Sequence, residues 1–197
     1  MPAPVRSDAP YTDRSIVALT ATLYAFEIDF SHVDRGVYET LTFRVARHPS
    51  ESEDFLVTRV LAYCLEHTEG LQFSPGGLSD PDEPPLSIRD ATGALVAWID
   101  IGLPDAARLH KASKAASRVV VYTHKDPVRL VRLLTGARIH RADALELYAL
   151  DREFVAGWAA VLARRTIATL MVTDGHLYLT IGETSLTGTI ERLAIPR

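Results

Sequence analysis

Residues 95–112 read LVAWIDIGLPDAARLHKA and combine the signals of a strand and a helix in one short segment. The first part is apolar except for Asp100 and ends at Gly102, which is typical of a buried strand. A Pro-Asp pair then opens a helix that we expect over 106–116. The apolar run SRVVVY at 117–122 follows and predicts a central strand. The segment therefore predicts a parallel strand–helix–strand unit.

The same alternation continues towards the C terminus. The pattern predicts a helix from Asp126-Pro127 to about 134, a strand over 144–150, a helix over 152–164 and an all-β tail over 166–195. Within the tail, Asp174-Gly175 has the chemistry of a two-residue hairpin turn.

Two strands and a helix are predicted on the N-terminal side. Residues 15–30 and 37–46 alternate apolar and polar side chains, which predicts an antiparallel hairpin. Ser50 and Glu53 have the spacing of a capping box, and an amphipathic helix is expected from there to about His67.

The sequence also predicts the burial of two side chains of this helix and the structure of the segment that follows it. On the helix, Cys64 lies on the apolar face and is expected in the core, whereas Arg59 is expected at the surface. Residues 72–85 are rich in glycine and proline and predict a loop that leads to a short strand over 86–89.

These elements predict an α/β (mixed α+β) fold in a single domain. We expect one mixed β-sheet flanked by helices, with antiparallel β additions at both ends and a small β-rich segment beside it. Residues 1–14 are interpreted as a flexible N-terminal lead-in, and residues 15–197 as the domain.

Composition excludes several classes of protein. The net charge of −4 is not that of a chain whose overall field attracts nucleic acid, although a local basic groove stays open. A single cysteine excludes an intramolecular disulfide and a cysteine-based zinc site. No apolar run is long enough to span a membrane, and we expect a cytoplasmic location. The Rossmann, P-loop, nucleophile-elbow and zincin motifs are all absent.

One group of charged residues could perform chemistry. Asp82 stands in the loop before the strand pair and Asp100 on the buried strand, while Arg108, Lys111 and Lys114 form one ridge of the following helix. Two carboxylates and a lysine could hold Mg²⁺ and activate water for phosphodiester hydrolysis. The alternative is a structural salt bridge from Asp100 to Lys111 or Lys114, with Asp82 in solvent.

Three motifs resemble those of the YaeQ family, and the similarity covers the chain from about residue 15. They are RVARHPSE at 44–51, DEP at 82–84 and LVAWIDIGLPDAARLHKA at 95–112. The family's fold is regarded as a variation on the PD-(D/E)XK nuclease superfamily. The resemblance therefore implies a restriction-endonuclease-like core, here over about 50–125.

The resemblance also implies roles for particular residues. Asp82 and Asp100 would be the metal ligands, Glu51 the assisting acid on the first helix, and Lys111 the source of the amine. The superfamily's strand lysine is missing, because the motif reads Asp100-Ile101-Gly102.

Two functions follow as expectations. The first is hydrolysis of nucleic acid that depends on Mg²⁺ or Mn²⁺, with Asp82, Asp100, Lys111 and Glu51 as catalytic residues. The second is a non-catalytic module that retains the nuclease scaffold and binds a protein or a nucleic acid.

Overall fold

The computed structural model describes residues 21–74 and 83–196. The strands of this part are β1 (Thr22–His32), β2 (Val37–Arg47), β3 (Leu71–Phe73), β4 (Leu86–Arg89), β5 (Leu95–Ile101), β6 (Arg118–Thr123), β7 (Glu146–Leu150), β8 (Arg165–Thr173), β9 (His176–Ile181) and β10 (Thr184–Leu193). The helices are α1 (Glu53–Leu65), α2 (Ala106–Ala115), α3 (Pro127–Leu134) and α4 (Arg152–Ala160). The predicted lead-in at 1–14 lies outside the described residues.

The strands form one mixed, mostly antiparallel sheet in the order β2-β1-β8-β9-β10-β7-β6-β5-β4-β3. The predicted hairpin of β1 and β2 and the predicted parallel units β5–β6 and β6–β7 are confirmed. The β-rich tail does not lie beside the sheet as a separate segment, because β8 pairs in parallel with β1. This pairing aligns the buried Ile28 and Phe30 with the buried Ala168 and Leu170, so both strands bury the same face.

The sheet curves until its two edge strands approach each other. Phe43 of β2 and Phe73 of β3 have ring centroids 5.6 Å apart. Tyr63 of α1 packs against both rings, with centroids 4.5 Å from Phe43 and 4.6 Å from Phe73. The curved sheet therefore wraps around α1, which also packs against α4.

Strands β5 and β6 separate two apolar cores. On the inner face, Ile99 and Val120 pack in the cluster that contains α1 and α4. On the outer face, Trp98 and the side chains of α2 and α3 form a second cluster, in which Leu109 and Leu130 are buried. The strands thus form the middle layer between two helical layers.

The structure corrects several boundaries. Helix α1 is capped by Ser52, whose side chain accepts a hydrogen bond from the backbone N–H of Phe55. Ser50 does not cap it, because its hydroxyl lies 2.6 Å from the Nδ1 atom of His48. Strand β3 occupies the start of the predicted loop, and α4 ends at Ala160. None of the helices within residues 21–74 and 83–196 has the length and hydrophobicity that a membrane-spanning helix requires.

Candidate functional site

Asp100 is the best-defined residue of the predicted site. Its side chain is buried at the end of β5, on the same face as Trp98, as strand alternation predicts. The indole Nε1 of Trp98 donates a hydrogen bond of 2.9 Å to Oδ2. Arg108 donates from Nε to both carboxylate oxygens, at 2.7 Å to Oδ2 and 3.0 Å to Oδ1. Asp100 is therefore a buried carboxylate that is held in an ion pair with the partly exposed Arg108.

Arg108 connects three parts of the structure. Its guanidinium lies over the ring of Trp98, 5.3 Å from the ring centroid. The same group donates a hydrogen bond of 2.9 Å to the backbone carbonyl of Glu83. The alternative salt bridge was therefore correct in kind, but its cation is Arg108 rather than Lys111 or Lys114. Arg108 lies in the first turn of α2, where Asp105 caps the helix, and this turn starts next to the end of β5.

The other predicted metal ligand, Asp82, lies outside the described residues, and its pairing with Asp100 stays a prediction. Between residues 21 and 74 and between 83 and 196, no group of three or more histidine, cysteine or acidic side chains could hold a metal ion. Both oxygens of Asp100 already accept hydrogen bonds from Arg108. The described residues therefore do not fit an open Mg²⁺ site.

Glu51 lies in a different environment. Its carboxylate is fully buried and pairs with Arg59, whose Nη2 atom lies 3.3 Å from Oε1. Arg59 also donates to the carbonyl of Ala46 at 2.6 Å, so the prediction of a surface arginine was wrong. Burial raises the pKa of Glu51, and the charge of Arg59 opposes that shift.

The structure does not place Glu51 beside Asp100. Glu51 contacts residues of the β2–α1 connection and of α1, which packs on the inner face of the sheet. Asp100 points to the outer face, against α2. Lys111 and Lys114 are exposed on α2.

Sequence reasoning missed a polar network at the other edge of the central strands. Arg118, at the start of β6, donates to Glu66 at 2.5 Å and to Glu146 at 2.7 Å. The hydroxyl of Tyr122 donates to Glu66 at 2.7 Å. Arg118 and Glu66 line a cavity of about 560 Å³. The sequence gives only a weak indication of this network. Arg118 stands at the start of an apolar run, and its partners Glu66 and Glu146 are 52 and 28 residues away in sequence.

His124 was also missed. It follows β6 directly, is only 4% exposed and has no hydrogen-bond partner at either ring nitrogen among the described groups. The sequence offers no short motif around this histidine, so only the fold identifies it as unusual.

Comparison with known proteins identifies the family. The model of the YaeQ protein family matches residues 17–190. The uncharacterized protein YaeQ of Escherichia coli strain K12 is 29% identical over 171 residues, which cover 86% of this chain and 94% of the relative. The uncharacterized protein YaeQ of Salmonella typhi is 36% identical over 108 residues, which cover 55% and 59% of the two chains.

Two crystal structures share the fold. The YaeQ protein from Pseudomonas syringae has a TM-score of 0.78 at 28% identity, covering 88% of this chain and 96% of that one. The YaeQ protein from Xanthomonas axonopodis pv. citri has a TM-score of 0.78 at 30% identity, covering 90% and 100%. The chain belongs to the YaeQ family.

Proposed function

We propose that this protein is a nuclease-like module that binds nucleic acid without hydrolysing it. The order α1, β3, β4, β5, α2 and β6 agrees with the α-β-β-β-α-β core that the family resemblance implies. The ion pair of Asp100 with Arg108 supports the non-catalytic part of the proposal, since the guanidinium already compensates the negative charge that would bind a metal ion. Gly102, which stands where the superfamily has its lysine, supports it further.

The distribution of charge carries the binding part of the proposal. Residues 106–142 contain nine lysines and arginines and one acidic residue, Asp126, although the whole chain has a net charge of −4. This segment supplies α2 and α3, which cover the outer face of the sheet. We call the exposed cations of these helices and their following loop the α2–α3 face; they are Lys111, Lys114, Arg129, Arg132, Arg138 and Arg141. Clustered cations on one face are the electrostatic footprint of phosphate-backbone binding.

The binding test uses fluorescence anisotropy with labelled duplex DNA and duplex RNA over a series of salt concentrations, in the presence of EDTA. The variant carries Lys114→Gln, Arg129→Gln and Arg132→Gln. We expect weaker binding and a slope of log K against log salt that is smaller by about 2 to 3 than in the unaltered protein, because three phosphate contacts are lost.

A charge-matched control distinguishes this face from the rest of the surface. Arg44, Arg165 and Arg192 are exposed on β2, β8 and β10, and their replacement by glutamine removes the same three charges. We expect this control to keep the original slope. Equal slopes for the two triple variants, or no binding at low salt, would contradict the proposal.

The second candidate is hydrolysis that depends on Mg²⁺ or Mn²⁺, with Asp82, Asp100, Lys111 and Glu51 in the roles implied by the family resemblance. One observation favours it. The carbonyl of Glu83, next to Asp82 in sequence, accepts a hydrogen bond from Arg108, so the end of that loop lies beside Asp100. Lys111 follows on the same helix.

Incubation with Mg²⁺ or Mn²⁺ and duplex or single-stranded DNA and RNA separates the two candidates. Our proposal expects no cleavage products. Cleavage that EDTA and Asp100→Asn both abolish, in a variant whose circular dichroism shows that it is folded, would establish the second candidate instead. Cleavage that survives Asp100→Asn would be assigned to a contaminating nuclease.

A further inference from the structure

A cavity of about 460 Å³ lies where the parallel strands β6 and β7 end. His124 and Lys125 line it from the end of β6, Asp54 from the first turn of α1, and Arg152 and Glu153 from the first turn of α4. The carboxyl ends of parallel strands are where open α/β sheets bind their ligands. The amino ends of two helices add partial positive charge at the same place.

His124 is the observation that points to a ligand. His124 is a buried residue among those that line the cavity, and neither ring nitrogen has a hydrogen-bond partner in the described part of the protein. Its only described ring contact is an edge-on approach to Phe55, with centroids 6.3 Å apart. A buried polar group without a partner is costly and rare in folded proteins, which marks it as a candidate binding group.

The state of His124 suits hydrogen bonding rather than charge pairing. Burial, with a smaller contribution from the charges of Lys125 and Arg152, lowers the pKa of His124 to about 4, and the charge of Asp54 opposes this shift. The imidazole is therefore neutral at pH 7 and offers one donor and one acceptor.

The charged groups narrow the class of ligand. Lys125 and Arg152 are cations, and Asp54 and Glu153 are anions. This balance disfavours a bare anion, because two carboxylates would repel it. It fits a ligand that carries both an anionic group for the cations and hydroxyl groups that donate to the carboxylates. A ribose phosphate has this combination, since carboxylates bind ribose hydroxyls and cations bind phosphate.

We propose that this cavity binds a ribose phosphate group, with Lys125 and Arg152 on the phosphate, Asp54 and Glu153 on the hydroxyls, and His124 as a neutral hydrogen-bonding partner. The volume lies within the range of small-molecule sites. The group can belong to a free nucleotide or to the phosphorylated 5′ end of a nucleic acid. The inference does not rest on binding by the α2–α3 face.

The test is nuclear magnetic resonance of the histidine ring nitrogens at pH 7, with the His124 signals assigned by their loss in His124→Gln. The probes are ribose 5-phosphate, adenosine 5′-monophosphate, inorganic phosphate and adenosine. We expect the two ribose phosphates to shift the His124 signals and to bind at least tenfold more tightly than inorganic phosphate or adenosine.

Variants locate the binding. The exposed pair Lys125→Gln and Arg152→Gln is expected to weaken binding of ribose 5-phosphate at least tenfold, whereas Arg165→Gln on β8 leaves it unchanged. A 5′-phosphorylated oligonucleotide that shifts His124 more than its 5′-hydroxyl counterpart identifies a nucleic-acid end as the source. Saturation only by the mononucleotide identifies the free nucleotide.

Two results would overturn the inference. One is the absence of any His124 shift with ribose 5-phosphate at millimolar concentration. The other is a shift that persists in the Lys125 and Arg152 double variant. Because the α2–α3 triple variant keeps all the groups of this cavity, its loss of duplex binding would leave the histidine result unchanged.

Discussion

The buried carboxylate of Asp100 requires a hydrogen-bonding partner, and the structure explains why that partner is Arg108. A charge on a central strand is costly to bury, and the sequence correctly indicated that it needs a partner. The partner could not be chosen from helical spacing alone, because Arg108, Lys111 and Lys114 share one ridge. Packing decides the choice: the guanidinium of Arg108 lies over the ring of Trp98, and the indole donates a further hydrogen bond to the carboxylate.

Replacing Arg108 with methionine should leave Asp100 buried and uncompensated. We expect a loss of about 3 to 5 kcal/mol in the free energy of unfolding, measured with urea at pH 7. Lys114→Met on the same helix should cost less than about 1 kcal/mol, because that side chain is exposed.

The double variant Asp100→Leu with Arg108→Met tests the cause. It should be more stable than Arg108→Met alone, because no charge is then left unpaired. If Arg108→Met alone were as stable as Lys114→Met, the ion pair would not be compensating the buried charge of Asp100.

Helix α1 is fixed at both ends by side chains. Ser52 caps its first turn, and Glu66 just beyond its last turn binds Arg118 of β6. Arg118 in turn binds Glu146 at the start of β7, so one guanidinium joins the helix to two strands. The helix inside the curved sheet is thereby held in position along its axis.

The cap can be tested by paired substitutions. Ser52→Ala should lower the free energy of unfolding by about 1 kcal/mol, because the backbone N–H of Phe55 loses its partner. Ser50→Ala should cost less, since the hydroxyl of the exposed Ser50 bonds to the His48 ring and not to a backbone N–H of the helix. Urea unfolding of both variants measures the difference, and a larger loss for Ser50→Ala would restore the capping box predicted from sequence.

The Arg118 network predicts a dependence of stability on pH. Hydrogen bonding to Arg118 lowers the pKa of Glu146 below its ordinary value of 4.5. A lowered folded-state pKa means that the contribution is present above pH 4.5 and is lost as the pH falls through the folded value.

Urea unfolding between neutral and acidic pH measures this loss. Replacing Glu146 with glutamine should make the decline below about pH 4.5 shallower, since this titration is removed. Glu153→Gln serves as the control, because Glu153 is exposed and has no ion pair among the described side chains. If the free energy of unfolding of Glu146→Gln declined as steeply below about pH 4.5 as that of the unaltered protein, the proposed contribution of Glu146 would be contradicted.

At the scale of the molecule, local sequence patterns predicted the helices and strands but not the way in which the sheet joins β1 to β8 and curves around α1. The strand–helix–strand unit around Asp100 depends on neighbours in sequence, and its parallel pairing was predictable. The pairing of β1 with β8 and the approach of Phe43 to Phe73 depend on residues far apart in the chain, which periodicity does not connect. For the same reason, the sequence did not predict the unpartnered His124 or the Arg118 network. It did single out Asp100, which is the one charged residue in an apolar run.

The parallel pairing of β1 with β8 has a consequence for synthesis on the ribosome. The hairpin of β1 and β2 emerges early, yet the strand that covers the other side of β1 begins only at Arg165. Until then β1 presents an open edge next to Phe26, Ile28 and Phe30, which is a template for wrong pairing with another chain. A nascent chain stopped before β8 is therefore expected to be the most aggregation-prone stage in the life of this protein.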